Sequence, residues 1–457
     1  MLDTNNERVR SLLLRGGIGL EKESLRITPE GFLAQTKHPF GDDKYIVRDF
    51  CENQTEINTV VSDSVDAAMK QLSEHTKRIV MTLAELPEPE YLWPFSNPPY
   101  IRRESEIPIA TYEGEEKEKE EYRYYLAERY GRYKMTFSGI HFNYSFADAL
   151  LRADMEAKGE TDFRAYKDRF YISLAAKAQL YNWLIVAVTA ASPLLDSSYV
   201  EKGVLGKDVF NGMGTTRCSE LGYWNMFTPI LDYTDVNWYV GSILAYIDEG
   251  LIHSSAELYY PVRLKPPGTY HIRDLKEKGI SHIELRMIDL NPLTPWGIDP
   301  RDVLFIKLLL IWLASQPEIT VNAREQVFAI QNTKTAAHYD LKTVSIIMPD
   351  HRTLWAADAA CEVLSDMKAY FKQVEDQCDR IMDTLDYQIA KFSDADKRYA
   401  WQVRKRFGDG FVEKGLALCR DRLSEIQNGE WDDKAYVHCN YRCGNGADCR
   451  FGDPGKI

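Results

Sequence analysis

The first residues, Met1-Leu2-Asp3-Thr4-Asn5-Asn6-Glu7, lack both the basic and the apolar stretch of a secretory leader, which predicts a cytoplasmic protein. Long apolar runs are missing too. The two nearest to one, residues 183–191 and 303–314, are too short for a bilayer, and the second carries Lys307 in its middle, so both read as buried helices and no membrane partner is expected. Basic excess is absent: 56 Lys and Arg against 69 Asp and Glu leave a net charge of −13, which argues against general nucleic-acid binding. No internal repeat or low-complexity linker marks a domain boundary. Cysteine is sparse, 8 in 457 residues, and without a leader these read as reduced thiols. His438, Cys439, Cys443 and Cys449 match no zinc pattern and read as a tail with surface thiols, while Cys51 and Cys218 read as packing.

What remains is the makeup of a folded chain long enough for one large or two ordinary domains. Up to about residue 298, short alternating segments mix with helical ones and with loops such as Trp93-Pro94-Phe95-Ser96-Asn97-Pro98-Pro99-Tyr100. Beyond Pro300 helical patterns dominate, at 302–315, 356–389 and 411–427. Ser64 reads as the N-cap of a helix over 65–86, and 170–191 as a long apolar helix lying against a sheet. The nearly all-charged stretch 113–121 reads as a solvated helix or lid. Together these predict an α+β fold, with a catalytic portion over residues 1–300 and a mostly helical portion over 301–457 packed on it.

Three segments alternate strictly. In Ile18-Gly19-Leu20-Glu21-Lys22-Glu23-Ser24, Glu21 and Glu23 share one face of an extended chain; in His141-Phe142-Asn143-Tyr144-Ser145-Phe146 the polar residues share one face and the aromatics the other. Ile283-Glu284-Leu285-Arg286-Met287 pairs Glu284 with Arg286 opposite three apolar residues, and Asp49-Phe50-Cys51-Glu52-Asn53-Gln54-Thr55-Glu56-Ile57 adds carboxylates. Each alone fits a half-solvated sheet with a charged outer face. On one sheet, however, they would gather Glu21, Glu23, Asp49, Glu56, Glu284 and one histidine, a density of negative charge that requires cations. Hard oxygen ligands in that number suit Mg²⁺ or Mn²⁺, which keep positions for water and phosphate. Arg286 is either a salt-bridge partner of Glu284 or a fork that stabilises charge on a transferred phosphoryl group.

In order and spacing, Gly19-Leu20-Glu21-Lys22-Glu23-Ser24-Leu25-Arg26, Trp93-Pro94-Phe95-Ser96, Ser138-Gly139-Ile140-His141-Phe142-Asn143, Leu221-Gly222-Tyr223 and Ile283-Glu284-Leu285-Arg286-Met287-Ile288-Asp289-Leu290-Asn291-Pro292 resemble the signature segments of bacterial glutamate–cysteine ligases. The resemblance runs over roughly two-thirds of the chain. It implies a glutamine-synthetase-like core whose curved antiparallel sheet forms an open funnel, with metal ions between ATP and the amino-acid substrates. It further implies that Glu21, Glu23, Asp49, Glu56, His141 and Glu284 are metal ligands and that Arg286 contacts phosphate. Phe50, Tyr122, Leu126, Tyr223 and Tyr259 match its cysteine pocket, and Arg217 its substrate-binding arginine. Met135 departs from the pattern, standing where close relatives carry Gln, which reads as local repacking or as an altered amine substrate.

The expected reaction is ligation of the γ-carboxylate of L-glutamate to the α-amine of L-cysteine through γ-glutamyl phosphate, the first step of glutathione biosynthesis, with ATP as co-substrate and Mg²⁺ or Mn²⁺ as cofactor. Three alternatives stand beside it: a γ-glutamyl ligase using another amine, a carboxylate-pair glycoside hydrolase needing neither ATP nor several metals, and a non-catalytic glutamate- or nucleotide-binding protein, which so many metal-suited groups disfavour. The chain is short for the fused form that carries a second, ATP-grasp ligase, so a single-step enzyme is expected.

Overall fold

The computed structural model describes residues 1–374 and 379–431. His438, Cys439, Cys443 and Cys449 lie outside them. Among the described residues eleven strands follow in chain order: β1 (Gly16–Ile27), β2 (Ile46–Arg48), β3 (Gln54–Asn58), β4 (Tyr91–Leu92), β5 (Gly139–Phe146), β6 (Leu194–Asp196), β7 (Asp208–Phe210), β8 (Val262–Lys265), β9 (His282–Asp289), β10 (Ser345–Ile347) and β11 (Thr353–Trp355). The main sheet is antiparallel, ordered β2-β3-β1-β5-β9-β8, with β4 paired to the end of β1; β6–β7 and β10–β11 form separate two-stranded sheets.

Alternation along the central strands divides the sheet into two unlike faces. Leu20, Phe142, Tyr144, Ile283 and Leu285 are sealed from solvent in the principal core. Against that side lies the 27-residue helix Phe163–Thr189, capped by the Asp162 side chain and longer at its start than the apolar run that signals it. Pro300–Ser315 packs on it in turn, with Asp299 as N-cap and proline at the first helical position. Ser64 caps Val65–Ala84 as expected, its side chain accepting from the Ala67 N–H.

Two expectations need correction. Residues 49–57 do not form one strand: 46–48 and 54–58 pair as a hairpin, and the Asp49 N–H donates to the Gln54 carbonyl across the connection. Residues 356–389 are not one helix, because Ala356–Val374 and Asp379–Ser393 pack on one another and Lys368 pairs with Asp386. On a single helix those two residues would stand about 27 Å apart. The helices beyond Pro300 share core with the earlier portion. Phe407 and Phe411 meet Phe95, and Trp93 stacks edge-on to Phe411. At Gly415 an added Cβ would lie 2.3 Å from the Trp93 ring, so only glycine allows this approach. Among the described residues, no helix is long and apolar enough to cross a membrane.

Candidate active site

Register brings the acidic residues together. Glu21 lies opposite His141, Glu23 opposite Glu56, and Asn143 opposite Glu284, so four strands contribute to one polar face. His141 Nδ1 is 2.8 Å from Glu21 and its Nε2 3.5 Å from Glu23. Asn143 donates to Glu21 at 2.9 Å, and the Gly139 N–H donates to Glu23 at 2.9 Å. Ligand atoms of Glu21, His141 and Glu284 all lie within 4.8 Å of one another. A register shift between β5 and β9, at Ile140/Phe142, puts the extra residue on β9, and Arg286 reaches to 3.5 Å of His141 Nδ1. Asp49 joins from the hairpin connection rather than from a strand face, and its charge is felt at both Glu23 and Glu56.

The electrostatics are those of crowded anions interleaved with Arg286, Lys265, Arg263 and Arg217. Burial and the neighbouring Asp49 push the Glu23 carboxyl up; burial with Asp49, Glu21 and Glu23 pushes Glu56 well above the usual carboxylate range. Burial also opposes ionisation of Glu21 and Glu284. There it is outweighed, at Glu21 by the His141 hydrogen bond and at Glu284 by Arg286 and Lys265, and both carboxyls end below their ordinary values. Glu284 is sealed from solvent and lies 3.1 Å from Lys265 and 3.2 Å from Arg286, yet neither of its oxygens accepts a well-directed hydrogen bond. Two buried carboxylate oxygens left so, beside a second carboxylate and an imidazole, fit a hard divalent cation.

Next to this cluster opens a cavity of about 370 Å³. Its walls bring together Phe50, Tyr122, Leu126, Tyr223 and Tyr259 with Glu23, Asp49, His141, Arg217 and Arg286. Glu21, Glu56 and Glu284 belong to the acidic cluster but not to that lining. The Tyr122 and Tyr259 hydroxyls are buried without a well-directed partner. A family profile described as glutamate-cysteine ligase matches residues 2–249 and 225–336.

The chain belongs to the glutamate–cysteine ligase family.

Similar proteins of this kind include a bifunctional glutathione biosynthesis protein of Listeria innocua, 34% identical over 445 residues covering 93% of this chain and 57% of that one. One of Clostridium perfringens is 30% identical, covering 94% and 57%. The chain thus spans little more than half the length of these relatives. Among solved structures, a glutamate–cysteine ligase of Francisella tularensis in complex with AMP has a TM-score of 0.80 at 21% identity, covering 93% of both chains. A bifunctional glutathione synthetase of Pasteurella multocida has a TM-score of 0.79 at 24% identity, covering 92% of this chain and 54% of that one. Both show the fold.

Several residues of this candidate site carried no signal in the sequence. Lys265 and Arg263 reach the face from β8, Arg263 lying directly opposite Glu284. With only four residues, β8 is too short for alternation to stand out. Arg123 and Lys134 also line the cavity, and the Arg123 Nε donates to the Asp49 carbonyl at 2.6 Å. Arg217 is partly engaged: its Nη groups donate to the Arg286 carbonyl at 2.8 and 3.0 Å and to the Ile288 carbonyl at 3.0 Å, while Nε has no hydrogen-bond partner. An added Cβ at Gly139 would meet that guanidinium at 1.9 Å, so the glycine of the Ser-Gly-x-His segment makes room for it. Cys218, read as packing, borders the cavity and donates to the Met287 carbonyl at 3.3 Å.

Proposed function

We propose that the chain joins the γ-carboxylate of L-glutamate to the α-amine of L-cysteine, coupled to cleavage of ATP, at the acidic face of the main sheet and its adjoining cavity. The observation that carries this reading is the convergence of Glu21, His141 and Glu284 within 4.8 Å beside Arg286. Glu21, Glu23, Asp49, Glu56, His141 and Glu284 would hold divalent cations, with Mg²⁺ the proposed physiological ion. When bound, the cations screen the repulsion between the polyphosphate and the incoming carboxylate.

The protein's own groups supply orientation and fixed charge. Arg286, held by its ion pair with Glu284, presents its guanidinium to the phosphoryl oxygens as the glutamate γ-oxygen attacks the terminal phosphorus. That step forms γ-glutamyl phosphate and releases ADP. Arg217, clamped to two carbonyls of β9, holds its guanidinium in the cavity wall, where a substrate carboxylate is its partner on this reading. Phe50, Tyr122, Leu126, Tyr223 and Tyr259 receive the acceptor, whose amine attacks the acyl carbon and expels phosphate. Water exclusion by this aromatic wall protects the acyl phosphate from hydrolysis.

A coupled ADP-release assay with glutamate, cysteine and Mg²⁺ tests the reading. Turnover requiring all three supports it; no turnover overturns it. One observation favours a second acceptor. Met135, 4% exposed, puts an apolar side chain into the cavity wall, and faster turnover with another amine than with cysteine would establish that reading instead.

A further inference from the structure

Outside the acidic cluster, Glu257 and Asp154 are as deeply buried as Glu284, and of the two Glu257 is tied to the cavity wall. Glu257 ends the 3-10 turn Ser255–Glu257, and its side chain is 0% exposed. A carboxylate removed from water needs a countercharge and hydrogen bonds, and three of its partners come from the distant helix Lys117–Tyr130. Arg129 Nε lies 3.1 Å away, the Tyr130 hydroxyl donates at 2.7 Å and the Tyr125 hydroxyl at 3.4 Å. The His253 N–H adds a local bond of 2.6 Å. Glu257 therefore fastens the charged helix to the loop that carries Tyr259.

The network continues to the cavity wall. Asn225 Nδ2 donates to the Glu257 carbonyl at 2.8 Å, and Asn225 Oδ1 accepts from the Tyr259 N–H at 2.8 Å. Tyr130 stands edge-on to Tyr259, with ring centroids 5.2 Å apart, and to Tyr223 at 6.1 Å. Tyr223 and Tyr259, 3.9 Å apart, line the cavity; Glu257, Arg129 and Tyr130 stand behind them. A hydrogen-bonded tyrosine has one ring orientation, and Tyr130 transmits it to both.

We propose that Glu257 is the positioning residue of the amine-acceptor pocket. Resting on the ligase reading above, its carboxylate holds Tyr130, and its backbone carbonyl holds Asn225, so that Tyr223 and Tyr259 keep the spacing that selects the acceptor. On that reading ATP and glutamate occupy the acidic face rather than this aromatic pocket, so loss of the Glu257 carboxylate should act on the acceptor.

Steady-state kinetics of Glu257→Gln and Tyr130→Phe, with each substrate varied in turn, test this. Expected is a rise of about tenfold in KM for cysteine in Glu257→Gln and a smaller rise in Tyr130→Phe, with KM for ATP and glutamate within about twofold of wild type. The double variant should be no worse than Glu257→Gln, since the Tyr130 hydroxyl acts through its bond to Glu257. Should Glu257→Gln fold poorly, Tyr130→Phe carries the test, because it removes one hydroxyl and keeps the ring. An unchanged acceptor KM in Tyr130→Phe, or equal changes for all three substrates, overturns the proposal while leaving the ligase reading standing. A wild-type protein without amine-dependent ADP release overturns both.

Discussion

Glu284 is sealed from solvent between Arg286 and Lys265, and its oxygens lack well-directed donors. A glutamine there keeps the shape but removes the charge a divalent ion needs. Glu284→Gln should weaken Mn²⁺ binding, read by electron paramagnetic resonance, by more than about tenfold; unchanged affinity would remove Glu284 from the ligand set. Arg286→Lys replaces a fork by a point charge, and kcat should fall by about 10²–10³ with smaller changes in KM. A comparable loss through KM alone would make Arg286 a binding group only. Glu21, Glu23, His141 and Glu284 were legible in the sequence because strand alternation puts polar side chains opposite apolar ones. Glu257 was not: its loop has no periodicity, and its helix partners lie more than a hundred residues earlier in the chain.

Among elements, the helix Pro300–Ser315 shows how an apolar run can hold a charge. Lys307 is 7% exposed, and burial, reinforced by Arg380, brings its ammonium down to about 8. The unfolded chain keeps the ordinary lysine value, so between the two values it binds more protons and wild-type stability rises with pH. Lys307→Met should therefore stabilise the protein by on the order of 2 kcal/mol below pH 8, with the advantage fading towards pH 10. Urea unfolding at several pH values reads this, and a pH-independent difference would contradict it. The long central strands and Ser64-capped helix could be read from pattern. The hairpin at 46–58 could not: Asp49 and Glu56, seven residues apart, would fall on opposite faces of one alternating strand, and only the turn between β2 and β3 lets the charge of Asp49 reach Glu56.

At the scale of the whole molecule, one sheet carries the cation-suited face, and helices from both ends of the chain cover its other side or its flanks. The overall α+β class followed from where strand and helix patterns fall, whereas the shared aromatic core of Trp93, Phe95, Phe407 and Phe411 depends on contacts over some three hundred residues. Ligands that bind only the folded state raise its melting temperature. ATP with Mg²⁺ should raise Tm by about 2–5 °C and ATP alone by less; an equal rise without metal would separate nucleotide binding from the carboxylate cluster. The central claim is that a substrate carboxylate is activated as an acyl phosphate on this face, and oxygen tracing tests it most directly. With glutamate carrying ¹⁸O in its γ-carboxylate, one labelled oxygen should appear in inorganic phosphate for each peptide bond formed; product formed with unlabelled phosphate would contradict it.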